Sequence, residues 1–119
     1  MLRRWRPAST SPYTIDGGTL AVAGGTSNSL GVLTVGENGG GIVLGEGATL
    51  AFADSSAAEW AAGGNVVITG FVEKAIRFGT DGSALTAAQQ RRFRTSEGRH
   101  LILDPAGNLV YPGSVIVIR

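Results

Sequence analysis

Little in this chain is equipped for covalent chemistry, and nothing in the sequence fixes the few groups so equipped near one another. There is one histidine, His100, beside Arg99, and there is no cysteine. Without cysteine, disulfides and thiolate-held metals are excluded. A serine triad needs that histidine and a strained nucleophile turn, and no Gly-x-Ser-x-Gly occurs. Glycosidic bonds are cut by two carboxyl groups at a fixed separation. Asp81 with Asp54, Glu46 or Glu73 would supply such a pair, but no motif ties these acids together, and they read as turn residues. Gly79-Thr-Asp-Gly-Ser83 lacks the second and third acidic ligands of a calcium loop. The glycines from Gly36 to Gly47 are not followed by Gly-Lys-Ser/Thr, so no phosphate cradle is supported. No catalytic, cofactor-binding or metal-ligating residue is assigned, and the expectation is a protein that is not an enzyme.

Two aromatic residues are candidates for contacting a ligand, Trp60 and Tyr111. Either ring could stack on a sugar, although an aromatic in this setting also serves as a core plug. The basic residues fall into two groups. Arg3, Arg4 and Arg6 flank Trp5 in a Ser/Thr- and Pro-rich start, and residues 1–13 read as a flexible basic arm. Arg91, Arg92, Arg94 and Arg99 gather around Phe93, where a helix C-terminus accounts for their charge without a ligand. Formal net charge is only +1, so no global field steers nucleic acid or an anionic membrane to the chain. No nucleic-acid partner is expected. No membrane insertion is expected either, because no apolar run approaches the ~20 residues a spanning helix requires.

The framework that carries these residues is written in glycine, 19 of 119 residues. Glycine pairs and triplets separate short apolar runs: Thr19–Val22, Val32–Val35, Ile42–Leu44, Thr49–Phe52 and Val66–Thr69. Each interior glycine costs a helix roughly 1 kcal/mol, so this stretch does not form one. Alternation is visible at Leu33/Val35, Leu50/Phe52 and Val66/Ile68, which marks strands with one buried face. Thin corners of Gly, Asn, Ser and Ala suit coils stacked about 4.8 Å apart. The predicted interior is Leu20, Leu33, Val35, Leu44, Leu50, Phe52 and Ile68. The fold class is all-β, a right-handed parallel β-helix (solenoid) over 14–119, with an antiparallel meander or sandwich as the alternative. One helix interrupts it near the end. Thr86 and Gln89 form a capping box that predicts a helix over 86–94. Asp104-Pro-Ala-Gly107 predicts a turn between two further strands, and Val115–Ile118 a last apolar strand.

The order Trp60, Ile68-Thr-Gly-Phe71, Phe78-Gly-Thr80 and Leu85-Thr-Ala-Ala-Gln89 resembles a recurrent module. Residues 17 to 111 are similar to the C-terminal part of large autotransporter-like bacterial surface proteins with β-strand repeats. The resemblance implies a solenoid passenger, stalk or adhesin with no family chemistry to transfer. It also implies a location at the cell surface or outside the cell, as part of a longer exported protein. The basic start is not followed by an apolar segment, so this chain carries no signal-peptide pattern of its own. The expected partners are preceding coils of a longer chain, or another copy meeting the N-terminal edge, with carbohydrate as a further candidate. The function expected is structural or adhesive. A carbohydrate-binding module or a small polysaccharide-active enzyme are the alternatives.

Overall fold

The computed structural model describes residues 11–112. β1 (Tyr13–Ile15), β2 (Thr19–Val22) and β3 (Ser27–Ser29) make a first coil, and β4 (Leu33–Val35), β5 (Gly40–Leu44) and β6 (Thr49–Phe52) a second. β7 (Val66–Thr69) and β8 (Ile76–Phe78) belong to a third. A single helical turn, α1 (Ala87–Gln90), leads into β9 (Phe93–Thr95) and a closing hairpin of β10 (Ile102–Leu103) and β11 (Leu109–Val110). Strands of successive coils stack in parallel, β1 on β4, β2-β5-β7-β9 and β3-β6-β8. The chain is therefore an all-β parallel solenoid. Among the described residues the antiparallel alternative survives only in the β10–β11 hairpin and two short bridges beside it.

Parallel stacking turns the alternation in each strand into columns. Leu20, Ile42, Ile68 and Thr95 lie above one another, as do Leu50 and Ile76. Of the seven residues predicted for the interior, six are buried, and Leu20 in the first coil is half-buried. Phe52 stacks on Phe78 at 5.0 Å between ring centroids, and Phe78 meets Phe93 at 5.6 Å. Burying each such ring contributes about 2–3 kcal/mol. Thin corners are obligatory where coils touch. A Cβ on Gly64 would run into the carbonyl of Gly36, backbone of the preceding coil.

The coils are unequal. Thr19 pairs with Gly41, 22 residues on; Gly40 pairs with Val66, 26 on; Val66 pairs with Phe93, 27 on. The extra length lies on the β1–β4 face, where no third strand follows. There the segment between β6 and β7 covers β4 largely with side chains. The Ser55 hydroxyl accepts from Leu33 N–H at 2.9 Å, the Trp60 indole N–H donates to the Leu33 carbonyl at 2.8 Å, and Ala61 N–H donates to the Val35 carbonyl. Helix α1 packs on that segment, with Gln89 Nε2 donating to the carbonyls of Ser55 and Ala58.

The helix corrects one expectation. Its capping box is as predicted, with Thr86 Oγ1 accepting from Gln89 N–H and Gln89 Oε1 from Thr86 N–H. The helix stops at Gln90 instead of reaching residue 94, because Phe93 is drawn into β9 to finish the aromatic stack. At the start, Tyr13 pairs with Leu33 as the first residue of β1 instead of ending the arm. Residues 1–10 of that arm and the strand expected at Val115–Ile118 lie outside the described residues.

Candidate functional site: the open face of the first coil

The two aromatic candidates fall in separate clusters, and each is engaged. Trp60 spends its N–H on Leu33 and sets its ring edge-on to Phe93, 5.7 Å away. Tyr111 meets Phe71 edge-on at 5.3 Å, and the Arg99 guanidinium lies 3.8 Å over its ring, covering one face. The Tyr111 amide is held by Glu73.

The acids divide between two corners. Glu46 and Glu73 line a shallow hollow between the β2 and β3 faces. Asp54 and Asp81 stand close enough for the charge of Asp81 to oppose ionisation of Asp54. Each caps its own turn: Asp54 Oδ1 accepts from the Ser56 hydroxyl and amide, and Asp81 Oδ1 from those of Ser83. These hydrogen bonds hold both carboxyls below their ordinary range. A glycosidase acid needs the reverse, a proton retained at neutral pH. Asp104 is subject to a burial penalty, but the amides of Asn108 and Ala106, the Asn108 side chain and Lys74 outweigh it and bring it low as well. Among the described residues no group of three His, Cys, Asp or Glu is placed to hold a metal ion. His100 is exposed and bridges Arg94 across a tight reversal. The basic cluster is dispersed: Arg92 binds the Gly64 carbonyl while Arg99 covers Tyr111.

The surface that stands out is the N-terminal end of the stack. Gly41 N–H donates to the Gly18 carbonyl and Gly45 N–H to that of Val22. That phase turns Leu20 and Val22 toward β5 and leaves the N–H and C=O groups of Thr19 and Ala21 pointing out of the stack. On β3, Thr49 N–H donates to the Thr26 carbonyl and Leu30 N–H to that of Ala51, so Ser27 and Ser29 point outward in the same way. Among the described residues nothing pairs with these edges. Between them opens a largely apolar hollow of about 520 Å³, bounded by Leu20, Val22, Leu30 and Leu50. Asn28 also sits there, in the inward column of Leu50 and Ile76.

Sequence reasoning named the β2 edge but missed β3 and Asn28. Ser27-Asn28-Ser29 looks like a polar corner. Its signal is positional, a 22-residue offset from Thr49-Leu50-Ala51. Set against family models, curated proteins and solved structures, the chain matches none of them.

Proposed function

We propose that this domain is a structural β-solenoid segment that closes the C-terminal end of a coil stack in a bacterial cell-surface or secreted protein. Its role is mechanical or adhesive, and it performs no catalysis. The observation that carries this reading is the asymmetry of the two ends. The last parallel strands are met by chain running the other way, whereas among the described residues the first coil offers unpaired strand edges around an apolar hollow. Exposed edges of this kind are joining surfaces unless they are blunted. A further coil is therefore the natural partner, supplied by a longer chain or by another copy. Trp60 and Tyr111 act as packing residues in this reading, because the Trp60 N–H is held by the Leu33 carbonyl and the Tyr111 ring lies under Arg99. The surface location rests on the resemblance of residues 17–111 to autotransporter-like repeats, and the absence of cysteine suits a chain exported unfolded.

Light scattering across a concentration series tests the joining surface. The expected result is association that rises with concentration and falls when Ala21, on the free edge of β2, is changed to Lys. A strictly monomeric species at high concentration would remove the reading's main support.

A further inference from the structure

Building on the reading of the first coil as a joining surface, we propose that its partner is a second copy of this chain. The two copies meet head to head about a two-fold axis that passes through β3, with Asn28 on the axis.

The sequence of β3 is a palindrome, Ser27-Asn28-Ser29. An antiparallel pairing centred on Asn28 sets Ser27 of each copy opposite Ser29 of the other. The phase is correct for this. The outward N–H and C=O groups belong to Ser27 and Ser29, so those residues form the hydrogen-bonded pairs. The two Asn28 residues then form the non-hydrogen-bonded pair between them, where Cα atoms approach to about 4.5 Å.

Asn28 explains why the partner is a like surface. In the coils below, its column holds Leu50 and Ile76, both buried. A carboxamide in that column is out of place against an apolar cover. One of its N–H groups donates to Thr26 Oγ1 at 2.9 Å, and its carbonyl oxygen has no partner among the described residues. A primary amide carries both donors and an acceptor, so two related by the axis satisfy each other. A single inward Asn of this kind fixes register at an otherwise apolar junction.

Charge permits the approach. From Gly17 to Gly36 the chain contains no charged residue, and Asp16, at the corner between β1 and β2, is held by the Asn38 amide and side chain of the next coil, so little like charge opposes two first coils. The apolar hollow beside Leu20, Val22 and Leu30 would face its own image. Growth stops at two because the opposite end is closed. Arg77 pairs antiparallel with Asn108 and Arg94 with His100, which leaves no open parallel edge among the described residues for a third copy. A single coil face is small beside the ~800 Å² per partner of a standard interface. The dimer is accordingly a concentration-dependent one.

The chain has no cysteine, which makes cross-linking a clean test. Asn28→Cys in the full chain, oxidised at concentrations where light scattering reports a dimer, should give a covalent dimer that reductant reverses. Ala21→Cys on β2, away from the axis, should not. Asn28→Asp, which sets two like charges on the axis, should weaken association by about tenfold or more at neutral pH. Association of the Asn28→Cys variant without a cross-link, a cross-link in the Ala21→Cys variant instead, open-ended growth, or an unaffected Asn28→Asp dimer would each overturn the proposal while leaving the joining surface intact. A strict monomer at all concentrations would mean that the first coil is covered from within its own chain, and would overturn both.

Discussion

At the C-terminal end of the solenoid, Arg94 of β9 is bridged by His100 and Arg77 of β8 by Asn108, both antiparallel. The free side of β10 is closed as well, by a side chain: Gln90 Oε1 accepts from Leu103 N–H at 3.0 Å. The N-terminal end shares two strand faces with it, β2-β5-β7-β9 and β3-β6-β8, yet among the described residues its strand edges are bare. What separates the ends is more than the one polar residue, Asn28, in the inward column of Leu50 and Ile76. It is whether the backbone groups at the edge have partners. Edges are the surfaces through which β-proteins join, and chain reversal is a means of forbidding it. One molecule carries both solutions, which gives the stack a direction.

The comparison is broken most severely from inside. Phe78 is fully buried between Phe52 and Phe93, and Phe78→Ala should cost about 3–5 kcal/mol. Leu20→Ala in the half-buried first coil should cost a monomer much less, about 1–2 kcal/mol. Denaturant midpoints measure both, and equal losses would mean that the first coil is as enclosed as the last. Next is Ser55, whose buried hydroxyl accepts from Leu33 N–H and donates to the Ala53 carbonyl. Ser55→Ala leaves a buried N–H unpaired, for a loss of about 1–3 kcal/mol. An unchanged midpoint would show that the segment over β4 does not depend on this side chain. Thr86→Ala removes the helix cap at the closed end and should cost about 1 kcal/mol.

The smallest effect is one of pH. Asp54, Asp81 and Asp104 titrate below their ordinary 3.8 in the folded state. Groups depressed on folding add stability above the unfolded value and lose it as pH falls through the folded one. The corners they hold should therefore keep full strength down to about pH 4 and weaken below it. All three are exposed or nearly so, which makes the contribution slight. A melting temperature flat from about pH 7 to 4.5 and falling below about 4 is the expected profile.

The sequence was legible where local chemistry and stacking agree. Alternation at Leu33/Val35, Leu50/Phe52 and Val66/Ile68 named inward residues, and glycine clusters named corners. The Thr86–Gln89 box marked where the helix begins because a cap involves only neighbours. It did not mark the end, because the pull on Phe93 comes from Phe78, 15 residues earlier in the chain and set by the fold. Nothing local announces that Ser55 and Trp60 serve as a side-chain substitute for a strand, since their partner is the backbone of Leu33. The same holds for the candidate site. Ala21 on an edge could be read from the position of β2, whereas Asn28 acquires meaning only once Leu50 and Ile76 are stacked beneath it.

Native-state amide hydrogen exchange compares the two ends most directly. At a dilution that keeps the chain monomeric, the account predicts fast exchange at Thr19, Ala21, Ser27 and Ser29, whose amides face out of the stack. It predicts strong protection at the Val66, Phe78 and Thr95 amides, which are bonded to Arg92, Gly107 and Arg99. Raising the concentration should slow the first group and leave the second unchanged. Equal protection of both groups at high dilution would contradict the account, because the first coil would then be as well covered as the last.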